Sequence, residues 1–131
     1  MSELHDLHAR LLEMLDELEA LTGRAAPDEA ALASVRYRLT RTSSARRRLV
    51  DALCASLKRT VGGNALNALH DSNTAAMTAS SEHISTWSLR EIVKDWTGYC
   101  EASHTMRRSM RAQIDTEKTI LYPHLEGGAA G

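Results

Sequence analysis

The chain has 131 residues, of which 43% are hydrophobic and 25% charged, and its net charge is −1. This length fits a single domain, which we place at residues 1–126, and the hydrophobic content argues against wholesale disorder. The balanced charge gives no sign of a nucleic-acid partner, and no apolar run approaches the roughly 20 residues that cross a bilayer. We therefore expect one globular domain without a nucleic-acid or membrane partner.

The residue types favour helices. The chain contains no Phe, three Tyr, two Trp and two Pro, whereas strong helix formers such as Ala, Leu, Arg, Glu and Met are abundant. The fold class is therefore predicted to be all-α, with an aliphatic core. The two cysteines, Cys54 and Cys100, are too few for a disulfide framework and favour a cytoplasmic location.

The first two predicted helices are long. Leucines at three- and four-residue steps predict a helix from about Ser2, as N-cap, to Thr22, with Gly23 ending it. A second helix is predicted from about Asp28, its cap, to Thr60. Its apolar stripe weakens in the middle, where polar residues take the expected inward positions: Thr42, Ser43 and Arg46.

The third predicted helix follows Gly62-Gly63 and runs from Asn64, as N-cap, to Glu82 or His83, with a thin apolar face. The fourth begins at a capping box, in which Ser88 caps the backbone and Glu91 reaches back to it. It is expected to bend slightly at Gly98 and to end near Tyr122, before Pro123. Residues 127–131 are expected to form a flexible Gly/Ala tail.

Four helices with short connections predict an antiparallel up-down four-helix bundle. The charges suggest which helices are neighbours, because the first helix is rich in Asp and Glu and the second in Arg. Each exposed ion pair would contribute only about 0–1 kcal/mol to the free energy of folding. These charges therefore indicate that the two helices are neighbours, but they stabilise the bundle little.

A few polar residues fall on the predicted inner faces. Gln113 and Glu117 are one turn apart on the fourth helix, and His8 lies among the leucines of the first. A buried carboxylate has to be paired, protonated or bound to a metal. The inward-leaning Arg46 is a candidate to neutralise Glu117.

The segment Gln113–Pro123 resembles a helix end of the hemerythrin-like (HHE) domains, whose pattern is His-x-x-x-Glu followed by an apolar-aromatic-Pro tripeptide. The segment His8–Leu15 is similar to the family's opening His and leucine-rich helix. The resemblance covers nearly the whole chain. It implies a four-helix bundle, and in the family that bundle holds a non-haem di-iron centre for O₂ binding or for sensing oxygen, NO or iron.

Carried over position by position, the resemblance implies an incomplete ligand set. His8 and Glu117 match ligands, and His70 is the nearest candidate on the third helix. Gln113 stands where the family has a His, and non-ligating residues stand at the positions that Leu53-Cys54-Ala55 marks on the second helix: Ala45 and Leu49.

The function hypothesis is a non-enzymatic regulatory, sensory or interaction module of this family, with an incomplete di-iron site and no bound cofactor. The alternative is a protein that binds non-haem iron or another metal through a rearranged set of His8, Glu117 and His70. A simple structural pair of His8 with Glu117, and an oligomeric structural role, also stay open. The sequence names no protein partner and leaves the oligomeric state undetermined.

Overall fold

A computed structural model describes residues 2–60 and 63–130, with side chains described as far as Leu125. All regular structure in these ranges is helical, which confirms the all-α class, and none of the helices is long and apolar enough to cross a membrane. Gly62 and Gly131 lie outside the described residues. The helices are α1 (Glu3–Thr22), α2 (Glu29–Lys58), α3 (Asn64–Thr86), α4 (Leu89–Lys94) and α5 (Trp96–Ala130).

Three predicted helix starts are confirmed by side-chain caps. The Ser2 side chain accepts a hydrogen bond from the backbone N–H of His5, and Asp28 accepts one from that of Ala31. Ser88 accepts one from the N–H of Glu91. Each cap satisfies a backbone donor that the first turn of a helix leaves free.

The fourth predicted helix is in fact two helices, and the break lies at Asp95 instead of Gly98. The backbone of Asp95 is not helical, with φ −140° and ψ 74°. Its carboxylate accepts from the N–H of Gly98 at 3.0 Å, and its carbonyl accepts from the N–H of Tyr99 at 3.0 Å. Asp95 thus caps α5, and a Cβ at position 98 would collide with its carboxylate.

Two other predicted boundaries were wrong. Gly63, with φ 105°, precedes α3, so Asn64 is the first helical residue and not the cap. The helix that was expected to end before Pro123 continues to Ala130. Pro123 lacks an N–H, so the carbonyl of Thr119 loses its usual partner, but a single missing bond does not end the helix here.

Helices α1 and α3 each pack against both α2 and α5, and α4 contacts α2 and α5. Among the described residues, the predicted charge pairing of the first two helices appears as an exposed ion pair between Arg38 and Glu17 at 2.6 Å. Two further acids of α1 pair with α5, where Arg111 binds Asp16 at 2.8 Å and Glu19 at 2.9 Å.

The buried apolar residues form two clusters. The upper cluster contains Leu11, Leu15, Leu18, Leu21, Leu32, Val35, Leu39, Ile92, Tyr99 and Ile114. The lower cluster contains Leu4, Val50, Cys54, Leu66, Leu69 and Leu121.

A polar layer separates the two clusters, and α1, α2 and α5 each contribute buried polar side chains to it. On α1, His8 lies between residues of the two clusters, and on α5 Glu117 does so. On α2 the buried residues between the clusters are polar: Thr42, Ser43 and Arg46. The gap in the apolar stripe of α2 is therefore the contribution of this helix to the polar layer.

Helix α3 buries little beyond the polar layer. Its buried residues are Leu66, Leu69 and Asn73, whereas Met77 and Ile84 remain 38% and 40% exposed. The thin apolar face expected from the sequence thus belongs to its C-terminal half, which packs loosely against the bundle.

The cap at Asp95 provides a test of the helix break. Replacing it by Ala removes the side chain that accepts from Gly98 and should lower the free energy of unfolding by about 1 kcal/mol in urea denaturation. Asp95→Asn keeps an acceptor and should cost much less. Glu101→Ala, an exposed change on the same helix, is the control, and an equal loss in it would contradict a specific cap.

Candidate functional site

The centre of the polar layer is the carboxylate of Glu117, which is completely buried. Oxygen Oε1 accepts a hydrogen bond from Nε2 of His8 at 2.8 Å. Oxygen Oε2 accepts from Nη1 of Arg46 and from Nε2 of Gln113, the latter at 3.0 Å. Three helices, α1, α2 and α5, therefore meet at one carboxylate, and the cation Arg46 neutralises it.

The histidine is fixed from both sides. A carboxylate accepts, so Nε2 of His8 donates to Glu117, and Nδ1 lies at hydrogen-bond distance, 2.6 Å, from the hydroxyl of Tyr122. The Tyr122 ring also stacks on His5, with ring centroids 3.9 Å apart. These contacts leave neither imidazole nitrogen of His8 open to another ligand.

Helix α3 reaches the network through weaker contacts. The amide of Gln113 donates to Oγ of Ser72 at 3.3 Å. Beside it, the amide of the buried Asn73 donates to the Arg47 carbonyl at 3.2 Å and to Asp51 at 2.9 Å. The polar layer thus also connects α2 with α3, although no charge of α3 enters it within the described residues.

Of the three candidate ligands, the structure brings two together. His8 and Glu117 are in direct contact, and Arg46 neutralises the carboxylate as its inward position suggested. His70 lies elsewhere, because its side chain is 57% exposed and faces Asp51, with Nδ1 and Oδ1 3.2 Å apart. The sequence could not place His70, since the thin face of α3 left its rotation unspecified.

The residues present do not fit a di-iron centre. Within residues 2–60 and 63–125, whose side chains are described, no three His, Cys, Asp or Glu side chains are grouped so as to hold a metal ion. Both oxygens of Glu117 are engaged, and Arg46 already supplies a positive charge there. A metal ion on this carboxylate would have to displace Arg46 and leave a buried guanidinium without its counter-charge, which is costly.

A second buried arginine, Arg107, lies at the far end of the upper cluster and was not singled out from the sequence. Its Nη1 donates to Oγ1 of Thr22 at 2.7 Å, and the Cys100 thiol donates to the carbonyl of Thr22 at 3.4 Å. Burial lowers the pKa of Arg107 and raises that of Cys100. These contacts tie α5 to the end of α1.

The polar network includes one residue that periodicity did not predict. Tyr122 follows Leu121 directly, so the helical repeat assigns it to another face, yet its hydroxyl reaches His8. Its place in the apolar-aromatic-Pro tripeptide was the only sequence signal for it.

Comparisons of the chain with protein-family models, curated proteins and solved structures find no match. The hemerythrin-like resemblance therefore rests on the residues that carry it in this sequence.

The buried ion pair should be strongly coupled. Arg46→Met leaves a buried carboxylate without its cation and should lower the free energy of unfolding by about 3–5 kcal/mol. Combining it with Glu117→Leu should cost at least about 1 kcal/mol less than the sum of the single changes, as measured by urea denaturation.

The exposed pair Arg38–Glu17 is the matched control for this cycle. Its coupling energy should stay below about 1 kcal/mol, because solvent screens both charges. Additive effects of Arg46→Met and Glu117→Leu would contradict the buried contact.

Proposed function

We propose that this chain is a non-enzymatic regulatory, sensory or interaction module, related to the hemerythrin-like domains, in which an arginine replaces the metal. The observation that carries the proposal is the contact of Arg46 with the buried Glu117. In this proposal His8, Glu117 and Gln113 serve to join helices, and the cation they need is part of the chain. We also propose a cytoplasmic location, which suits the two free thiols, Cys54 and Cys100.

The proposed architecture is an antiparallel up-down bundle of α1, α2, α3 and α5, with α4 as a short lead-in to α5. It is supported by the order in which the helices pass the two clusters. Residue numbers rise from the lower to the upper cluster along α1 and fall along α2 and α5. Along α3 they rise from Leu66 towards the polar layer at Asn73.

The proposed function is non-enzymatic because the buried polar side chains are already engaged in contacts with one another. Both oxygens of the Glu117 carboxylate accept hydrogen bonds from side chains of the core, and the His8 ring is held at both nitrogens. Burial raises the pKa of the Cys54 thiol, which keeps it protonated and unreactive near neutral pH. The competing hypothesis, a rearranged metal site, would require His8 to release one of its present partners.

Metal analysis separates these two functions. Protein purified from iron-supplied cells should contain no stoichiometric iron, because Arg46 holds the position of the cation. Added Fe²⁺ should leave the melting temperature of the wild-type protein unchanged, as it should for the Glu117→Gln variant.

Two tightly held irons per chain would defeat the proposal. One iron per chain, with a visible charge-transfer band that disappears in His8→Ala, would instead establish the rearranged metal site.

A further inference from the structure

A cleft of about 480 Å³ lies between α3 and α5, with α2 behind it. It exists because the residues that face each other across it are small, including Ala75, Ala76 and Ala79 on α3 and Ala102 on α5. Such side chains cannot fill the space between two helices that the polar layer holds apart. The volume falls within the range of roughly 300–1,000 Å³ that is typical of small-molecule sites.

One end of the cleft is cationic. Arg46 lines this end and is only 4% exposed; its Nη1 binds Glu117, and its Nε is buried without a hydrogen-bond partner. Its neighbour Arg47 also lines the cleft and forms no ion pair within the described residues. Ser72 and Gln113 add polar groups beside them, and no described Asp or Glu lines the cleft. An anion is the partner that this end would attract.

The rest of the cleft is mainly apolar and uncharged. Alanines line the α3 side, and Met106 and Met110 line the α5 side. His83 stands at the other end, about 16 Å along α3 from Ser72 at the usual helical rise. Its Nε2 is buried without a partner, and burial lowers the pKa of its ring, so this end is neutral near pH 7.

We propose that this cleft binds a small amphipathic carboxylate. The carboxylate would accept hydrogen bonds from Arg47, and the apolar body would lie along the alanines and methionines. The inference rests on the proposed function, because the pairing of Arg46 with Glu117 leaves Arg47 as the cation that no described carboxylate compensates at this end. If the proposed function is right, an amphipathic carboxylate is the ligand that this regulatory, sensory or interaction module recognises.

Octanoate is a suitable probe, with octanol and octylammonium as neutral and cationic analogues of similar size. Calorimetric titration of the 131-residue chain should give saturable binding of one octanoate per chain. The affinity should be at least about tenfold higher than for either analogue, because charge-assisted hydrogen bonds require the anion. Equal affinity for octanol, or uptake that does not saturate, would overturn the assignment.

Paired variants locate the site. Arg47→Ala should weaken octanoate binding about tenfold, whereas Arg48→Ala, an exposed change one residue further on, should not. Ala102→Leu fills the cleft and should abolish binding, whereas Ala112→Leu on the exposed face of the same helix should leave it intact. Should Ala102→Leu fail to fold, Ala79→Leu on the facing helix makes the same test.

The iron content and mass of the same protein preparation distinguish the possible failures. Folded, metal-free monomer that does not bind octanoate would overturn the cleft assignment and leave the proposed function standing. Stoichiometric iron would overturn the proposed function itself. The protein could instead prove to be a dimer that does not bind octanoate and that Ala79→Leu dissociates. This result would show that a second copy of the chain covers the cleft, and it would also overturn the ligand assignment.

Discussion

A carboxylate buried in the middle of a helical core has to be neutralised there, and the surroundings of Glu117 follow from this requirement. Arg46 supplies the opposite charge, while His8 and Gln113 supply the remaining donors. Each of these side chains would be costly to bury without the others. The network therefore joins three helices as a single unit. It adds little net free energy of folding, but removing any one of its members is strongly destabilising.

The same unit determines how the helices align. The apolar clusters on either side contain interchangeable leucines, so sliding one helix by a turn would still bury apolar side chains. Such a slide would separate Arg46 from Glu117, or His8 from Glu117, and leave charges unpaired. We infer that the polar layer fixes the register of α1, α2 and α5. By holding α2 and α5 around its own side chains, it also maintains the cleft where α3 has small residues.

Sequence reasoning succeeded where periodicity and burial act together. The leucine stripe of α1 placed His8 inside, and the spacing of α5 did the same for Glu117. It failed where a single local interaction decided the outcome. The break before α5 depends on the side chain of Asp95, which caps the start of α5, so that α4 does not continue into it. The orientation of His70 could not be predicted, because the apolar face of α3 is too thin to set the rotation of this helix, and the structure places His70 beside Asp51.

In this structure the guanidinium group of Arg46 takes the place of a metal cation beside the buried carboxylate of Glu117. The most direct test is a crystal structure of protein grown with excess iron, with diffraction data collected at the iron absorption edge. We expect the Arg46 guanidinium in contact with Glu117 and no anomalous peak between Glu117 and His8. An iron peak between these two side chains, with Arg46 turned towards solvent, would contradict it.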